Sequence, residues 1–381
     1  MSLPPAQPAY ILRGHVSQIH STAFIRYNRR LVTADADGWI VIWSLATKRP
    51  TAVWRAHGAA VLAVRAWGSE KIITHGKDNK LIVWKLSEED EESMSKVLPV
   101  ETPPVPRKEP WLLHVLYVNT MNFCSFAQWS LLRSDAELLL AVPNTLSSET
   151  VDIFHLPSSK RIHMVPNPPS LKGGMVMAVS IFEHAQTGLL TVVAGYESGH
   201  TTVSQFSEAT WKPLYISQAH AQPILSLDVS SAKDFYLTSS ADAIIAQHPI
   251  PCAAEKITMA VENMPLKTLQ TRHSGQQGLV IRNDGKVFAT AGWDSRVRVY
   301  SVKAFKELAV LKWHKEGCYS VAFSDVESEA VREKDTGEES MDLARREGAL
   351  TVKEERLWKA QTAHWLAAGS KDGKVSLWDI Y

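Results

Sequence analysis

The sequence predicts an all-β chain folded as a seven-bladed propeller, a closed ring of repeated small sheets. Three observations carry this prediction. An aspartate stands six positions before an aromatic residue or histidine at five places: Asp37/Trp43, Asp78/Trp84, Asp242/His248, Asp294/Tyr300 and Asp372/Trp378. His15, His57, His220 and His273 lie 27 or 28 residues upstream of the first four closing residues. Short β-branched and aromatic runs alternate with Asp, Asn and Gly turn signals. A fixed period of this size marks repeats that bury their faces only against one another.

The first repeat shows the pattern. Leu12–His15 opens it, and Ile19–Phe24 makes one strand. Arg29 to Thr33 leads a second, Ala36-Asp37-Gly38 turns, and Ile40–Ile42 runs into Trp43. Asp-Gly is a strong hairpin signal. The second repeat copies this from His57 through Lys77-Asp78-Asn79 to Trp84. Later copies run from His220 through Thr238 to Asp242, from His273 through Trp293-Asp294 to Tyr300, and from His314 through Lys371-Asp372-Gly373 to Trp378.

The number of blades follows from the gaps. Trp84 and His220 are 136 residues apart. Removing a linker over Leu86–Pro110 leaves room for two repeats of about 48 residues, near the usual 40–45. Their strands are expected at His114–Val118, Leu138–Val142 and Val151–Phe154, then at Met175–Phe182, Leu190–Gly195 and Thr201–Phe206. Seven blades result, in a single domain over residues 1–381. Tyr10–Leu12 has strand character and the chain stops after the third strand of the last repeat. The N-terminus is therefore expected to supply the missing strand and close the ring.

Two insertions interrupt the pattern. Leu86–Pro110 contains Glu88–Glu92 and the run Pro103-Pro104-Val105-Pro106, and is expected to be a solvated excursion. His314 and Trp378 are 64 residues apart where about 27 are expected. The excess matches the charged stretch Asp325–Gln361, expected as a surface loop with room for a short helix at Met341–Glu347.

Composition excludes several function classes. Lys and Arg total 41 against 40 Asp and Glu, so no global field draws nucleic acid or anionic membrane. Cys124, Cys252 and Cys318 form no CxxC pair, so no zinc site or redox dithiol is expected. Met1–Pro8 lacks the features of a signal peptide, and no apolar run reaches membrane-helix length. Phosphate-loop, dinucleotide, zincin and nucleophile-elbow motifs are absent from the sequence. No cofactor, metal or catalytic residue is expected.

The recurring polar residues read as buried hydrogen-bonded sets. The first two are His15, Thr33, Asp37, Trp43 and His57, Thr74, Asp78, Trp84. The others are His220, Thr238, Asp242, then His273, Thr290, Asp294, and finally His314, Asp372, Trp378. A carboxylate accepts from imidazole, and a hydroxyl bridges imidazole and indole. A Thr/His/Asp set also looks like a nucleophile, base and orienter. Its recurrence in blade after blade favours a structural role, since an active site is needed once. Ala368 stands where the last repeat should carry its hydroxyl.

Repeats one, two, six and seven resemble WD repeats; repeat five is less close, and three and four are faint. The opening Leu12-Arg13-Gly14-His15, the run Leu31–Trp43, the stretch Gly195-Tyr196-Glu197-Ser198-Gly199 and the ending Leu366–Tyr381 resemble the fungal ASTRA-associated branch of WD-repeat proteins. That branch is similar to the animal G-protein-β-like protein. The resemblance implies a non-catalytic scaffold subunit in the nucleus, with the cytoplasm as a second compartment. The implied assembly joins RuvB-like AAA+ ATPases, Tel/Tti cochaperones and a PI3-kinase-related protein, and is tied to chromatin remodelling and kinase maturation. A monomeric propeller within that hetero-complex is expected. In WD propellers the residue before the turn aspartate lies at the rim of one face and serves recognition. By that resemblance Lys77, Trp293 and Lys371 are candidate partner-binding residues, while Ala36 and Ala241 are too small. A G-protein β subunit is disfavoured because no heptads precede the ring. A ubiquitin-ligase substrate receptor resembles Trp-Asp-x-Arg at strand ends, where this chain has Trp43-Ser44, Trp84-Lys85 and Trp378-Asp379-Ile380-Tyr381. That reading and a histone-tail or peptide reader stay open as alternatives.

Overall fold

The computed structural model describes residues 6–101, 107–119, 121, 123–131, 136–251, 264–326 and 351–380. Antiparallel four-stranded sheets succeed one another along the chain and close into a ring of seven. The first comprises β2 (Ile19–Ile25), β3 (Arg30–Asp35), β4 (Trp39–Ser44) and β5 (Pro50–Arg55). The second comprises β6 (Val61–Trp67), β7 (Lys71–Gly76), β8 (Lys80–Lys85) and β9 (Trp111–Tyr117). The third and fourth run from β10 (Ala127–Ser130) to β13 (Lys160–Val165) and from β14 (Val176–Glu183) to β17 (Thr210–Gln218). The fifth runs from β18 (Ile224–Val229) to β21 (Lys267–Gln270), the sixth from β22 (Gln276–Ile281) to β25 (Lys306–Leu311). The seventh holds β26 (Cys318–Phe323), β27 (Trp365–Ser370) and β28 (Lys374–Asp379), completed by β1 (Tyr10–Arg13). Tyr10 to Arg13 pair in register with Leu377 to Lys374, so the N-terminal strand closes the ring as expected.

His114–Val118, expected as the opening strand of the third repeat, is instead the outermost strand of the second sheet. The sequence repeat is offset by one strand from the sheet. That offset is what lets the two chain ends share the seventh sheet.

The core is divided among the sheet interfaces. Seven apolar clusters form, one between each pair of neighbouring sheets. Trp54 meets Trp84 edge to face between the first two sheets, and Phe288 stacks on Tyr300 in the sixth. Leu12 of β1 and Leu377 of β28 join Ile19, Leu31 and Val41 in the cluster between the seventh sheet and the first. Each sheet thus has both faces covered, which an open array would not permit.

The two insertions are tied to one turn, contrary to the solvated excursion expected for the first. Arg26, Tyr27 and Asn28 in the β2–β3 turn all take positive φ, between 51° and 60°. The Arg26 guanidinium donates to the Glu91 carboxylate and to the Leu86 carbonyl. Arg30 Nε donates to the same carboxylate at 2.9 Å, and Glu91 is 2% exposed. A short 3-10 turn, Asp90–Ser93, presents Glu91 to these two guanidiniums, the paired cations that a buried anion needs. Asn28 bonds the backbone of Asp325 in both directions and donates to the Gln361 carbonyl. It therefore grips both ends of the second insertion. The last part of that insertion is no loop: Thr351 caps helix α1 (Val352–Thr362) through a capping box with Glu354. Trp365 Nε1 donates 3.0 Å to the buried carbonyl of Ala360. The helix expected at 341–347 lies outside the described residues.

Deleting residues 1–14 removes β1 and the buried Leu12. The lost ladder and apolar burial together cost about 5 kcal/mol. The thermal midpoint should fall by about 10 °C or more. A scan of the truncated chain against the full chain checks this, and an unchanged midpoint contradicts closure by β1.

Candidate functional site

The hydrogen-bonded sets are the frame on which the site is built. In the second sheet His57 Nδ1 lies 2.9 Å from Asp78 Oδ1, and His57 Nε2 lies 2.8 Å from Thr74 Oγ1. Trp84 Nε1 donates to the same hydroxyl at 2.9 Å. Burial holds the His57 imidazole below its ordinary pKa, against the pull of Asp78. The neutral ring then donates through Nδ1 and accepts the Thr74 proton at Nε2, the one tautomer that satisfies all four members.

The first sheet uses a different aspartate from the expected one. His15 Nδ1 meets Asp35 at 2.7 Å, His15 Nε2 meets Thr33 at 2.7 Å, and Trp43 donates to Thr33 at 2.9 Å. Asp37 turns outward and accepts from Ser17 Oγ. Asp35 also accepts from the backbone N–H groups of Asp37 and Trp39. The reason is steric. The position of Asp35 is Gly76 in the second sheet, where an added Cβ would sit 2.3 Å from the His57 ring. An aspartate there reaches the imidazole first and takes over the turn as well.

The fifth sheet joins His220, Asp242 and Thr238, with His248 in the place of the indole. In the seventh, Ser376 replaces the missing hydroxyl: it meets His314 Nε2 at 2.9 Å and accepts from Trp378 at 2.8 Å. Ser376 faces Ala368 directly across the ladder, so the hydroxyl is restored from the neighbouring strand. Asp372 lies 3.5 Å from His314. The sixth sheet departs furthest. His273 is partly exposed and 3.7 Å from Asp294, which is held instead by the buried Arg298. Thr290 donates to Gln276 at 2.6 Å. The expected set of His273, Thr290 and Asp294 is therefore brought together only in part: His273 keeps ion-pair distance to Asp294, while Thr290 bonds Gln276 instead. Glutamine and arginine supply the missing polar partners.

These sets fix the loops around one mouth of the central channel. The pairing slips by one residue at the start of the inner strand in six sheets, at His20, Leu62, Met177, Leu225, Gln277 and Tyr319. Such bulges re-aim a side chain, and all six line one cavity of about 370 Å³ with Gln18, Phe123 and Trp293. None of these nine residues carries a formal charge, and burial holds His20 below its ordinary pKa. Below the mouth the wall narrows to small residues, among them Ser21, Ala63, Ala178 and Gly278, with Arg65 and Asp228 as its charged members.

The three rim candidates differ in setting. Trp293 is 48% exposed at the mouth; its Nε1 donates to Gln277 at 2.8 Å and its ring lies on Gly275, where a Cβ would intrude to 2.2 Å. Lys77 Nζ stands 3.8 Å over the Phe123 ring. Lys371 is exposed beside the same face, its backbone N–H bonded to Gly317. The bulge ring went unread in the sequence, although one large residue recurs just before a small one at each inner strand.

Seven interlocked four-stranded sheets, histidine–aspartate–hydroxyl sets in the first, second, fifth and seventh of them and a formed channel mouth define a WD-repeat β-propeller. The β-propeller domain of Myceliophteria thermophila Cps50 (Swd1) superposes with a TM-score of 0.67 at 14% identity, over 99% of this chain and all of that one. A sequence model described as ASTRA-associated protein 1 matches residues 8–378. ASTRA-associated protein 1 of Verticillium alfalfae is 50% identical, covering 98% of this chain and 93% of its own length. That of Pyricularia oryzae is 45% identical, covering 99% and 98%. The chain belongs to the ASTRA-associated protein 1 family.

Two measurements test the frame. Asp35→Ala should cost about 1–3 kcal/mol by stranding His15 and two turn N–H groups, while Asp37→Ala should stay within about 0.5 kcal/mol. Denaturant melts of the two variants check this ordering. Burial also lowers the pKa of His75 and of His248 to about 3. The unfolded chain takes up those protons near pH 6.5 and the folded chain does not. Their stabilisation is therefore full above pH 6.5 and lost as pH falls below it. At pH 5 the loss is roughly 2 kcal/mol for each histidine. The His75 imidazole makes no hydrogen bond to a described residue. His75→Leu should flatten the fall in stability between pH 7 and 5, read from melts across that range.

Proposed function

We propose that this chain is a non-catalytic scaffold subunit of an ASTRA-type assembly. Its partners in this reading are Tel/Tti cochaperones, RuvB-like AAA+ ATPases and a PI3-kinase-related protein, and its work supports kinase maturation and chromatin remodelling in the nucleus. The observation that carries the reading is membership of the ASTRA-associated protein 1 family along nearly the whole chain. The geometry is consistent in kind. The threonine hydroxyls of the polar sets are buried and already bonded, so a substrate has no approach to them. The channel mouth offers apolar and aromatic side chains with few polar groups, the composition of a protein-docking surface.

In this reading Trp293 anchors a partner at the mouth, with Lys77 and Lys371 on the surrounding rim. Its ring is half exposed, rigidly seated on Gly275 and held by Gln277. A lysine-tail reader is less well served, because no carboxylate is among the described residues that line the mouth. Trp293→Ala should cost about 2 kcal/mol of binding, a loss of roughly 25-fold in affinity. The midpoint of unfolding should stay within about 2 °C, since the side chain is half exposed. Co-purification with the cochaperone and kinase-related subunits, alongside a thermal scan, tests this. Full retention of every partner, or early unfolding, refutes the assignment.

A further inference from the structure

The outer edge of every blade is a row of backbone groups that invites pairing, and natural sheets blunt such edges with charge, proline, short strands or cover. Six of the seven outer strands here are protected in those ways. β1 has four residues and ends in Arg13. β5 begins with Pro50, ends with Arg55, and has its Val53 N–H bonded to the Ser95 carbonyl of the first insertion. β13 carries Lys160 and Arg161, β17 carries Lys212 and Pro213, β21 is four residues long with Lys267, and β25 carries Lys306 and Glu307.

β9 is the exception. Its seven residues, Trp111 to Tyr117, contain no acidic residue, lysine, arginine or proline. It bonds β8 on one side, and no described residue bonds its backbone on the other. Trp111 is 74% exposed, Leu112 48% and Tyr117 72%. At roughly 3.3 Å per residue the edge is about 23 Å long; a bulge at Leu113 divides it, and the regular stretch from His114 to Tyr117 is the part that an added strand pairs with. The neighbouring strand sets Lys85 opposite Trp111 and Lys80 opposite Tyr117, so a cation flanks each end of this uncharged edge.

We propose that β9 is a docking edge, where an extended segment of a partner subunit adds a fifth strand to the second blade. The segment it fits is apolar on both faces, to cover Leu112 and Tyr117 on one side of the blade and Trp111 on the other, with acidic residues at its ends, to meet Lys85 and Lys80. Backbone pairing supplies the affinity, and these side chains supply the selection. A second copy of this chain fits poorly. Edge-to-edge pairing of two seven-residue strands buries well under the roughly 1,000 Å² of a stable interface, and it brings lysines towards lysines. The edge is remote in sequence and blade from Trp293, so the two surfaces are separable.

Hydrogen exchange of the full chain, free and within the assembly purified through it, reads the edge directly. Amides of residues 112–117 should exchange at least tenfold more slowly in the assembly, while those of β13 and β25 stay unchanged. A photo-crosslinking residue at Leu112 should capture an apolar segment of another subunit bounded by acidic residues. The double substitution Trp111→Lys and Leu112→Lys changes exposed side chains. It should abolish that protection and leave the midpoint and the Trp293-dependent contacts intact. No added protection at 112–117, a cross-link only to a second copy, or a captured segment that is basic overturns the proposal. Protection that survives the double substitution overturns it as well.

Discussion

Each sheet in this molecule has two apolar faces and, among the described residues, no helix layer that covers a whole face, so it is stable only between two others. That requirement propagates around the ring until the last sheet must meet the first. Closure rests on one strand, β1, which crosses from the chain's beginning to its end and carries Leu12 into the seam cluster. The other six interfaces depend on it, because an opened seam would expose the covered faces of the first and seventh sheets together. Inner strands then converge on a channel whose width is set by small residues.

Polar order is imposed on this apolar frame by the turn sets. Their variation shows what is being selected: a complete circuit of donors and acceptors, not a fixed list of residues. Asp35 replaces Asp37 by occupying a position that is glycine in the second sheet. Ser376 replaces the hydroxyl absent at Ala368 because the two face each other across the ladder. Gln276 and Arg298 rebuild the sixth circuit from other chemistries. Buried polar groups must be paired, but the pairing can be met from any strand within reach.

The insertions follow the same logic. An acidic run read along the chain looks solvated, yet Glu91 is buried because Arg26 and Arg30 meet it from a turn 61 to 65 residues away in sequence. The same turn uses Asn28 to hold both ends of the second insertion. One left-handed turn in the first blade thus anchors two segments that share no sequence relation. It brings them to one edge of the ring, apart from the channel mouth lined by Trp293 and Phe123.

Sequence alone determined the fold class, the blade count and the use of the N-terminal strand, because period, turn chemistry and strand length are local properties repeated many times. It also identified the polar sets of the second and fifth blades, where spacing is regular. Tertiary structure decided which aspartate closes the first set, which serine closes the seventh, and that Gln276 and Arg298 take over the bonds to Thr290 and Asp294 in the sixth. Those outcomes depend on which side chain reaches an imidazole first across a ladder. It also decided that Glu91 is buried and that one residue per inner strand bulges into the channel mouth. The physical reason is common to all of these. Periodicity records what each residue does within its own strand, whereas hydrogen-bond closure and edge exposure depend on neighbours set side by side only once the ring is shut.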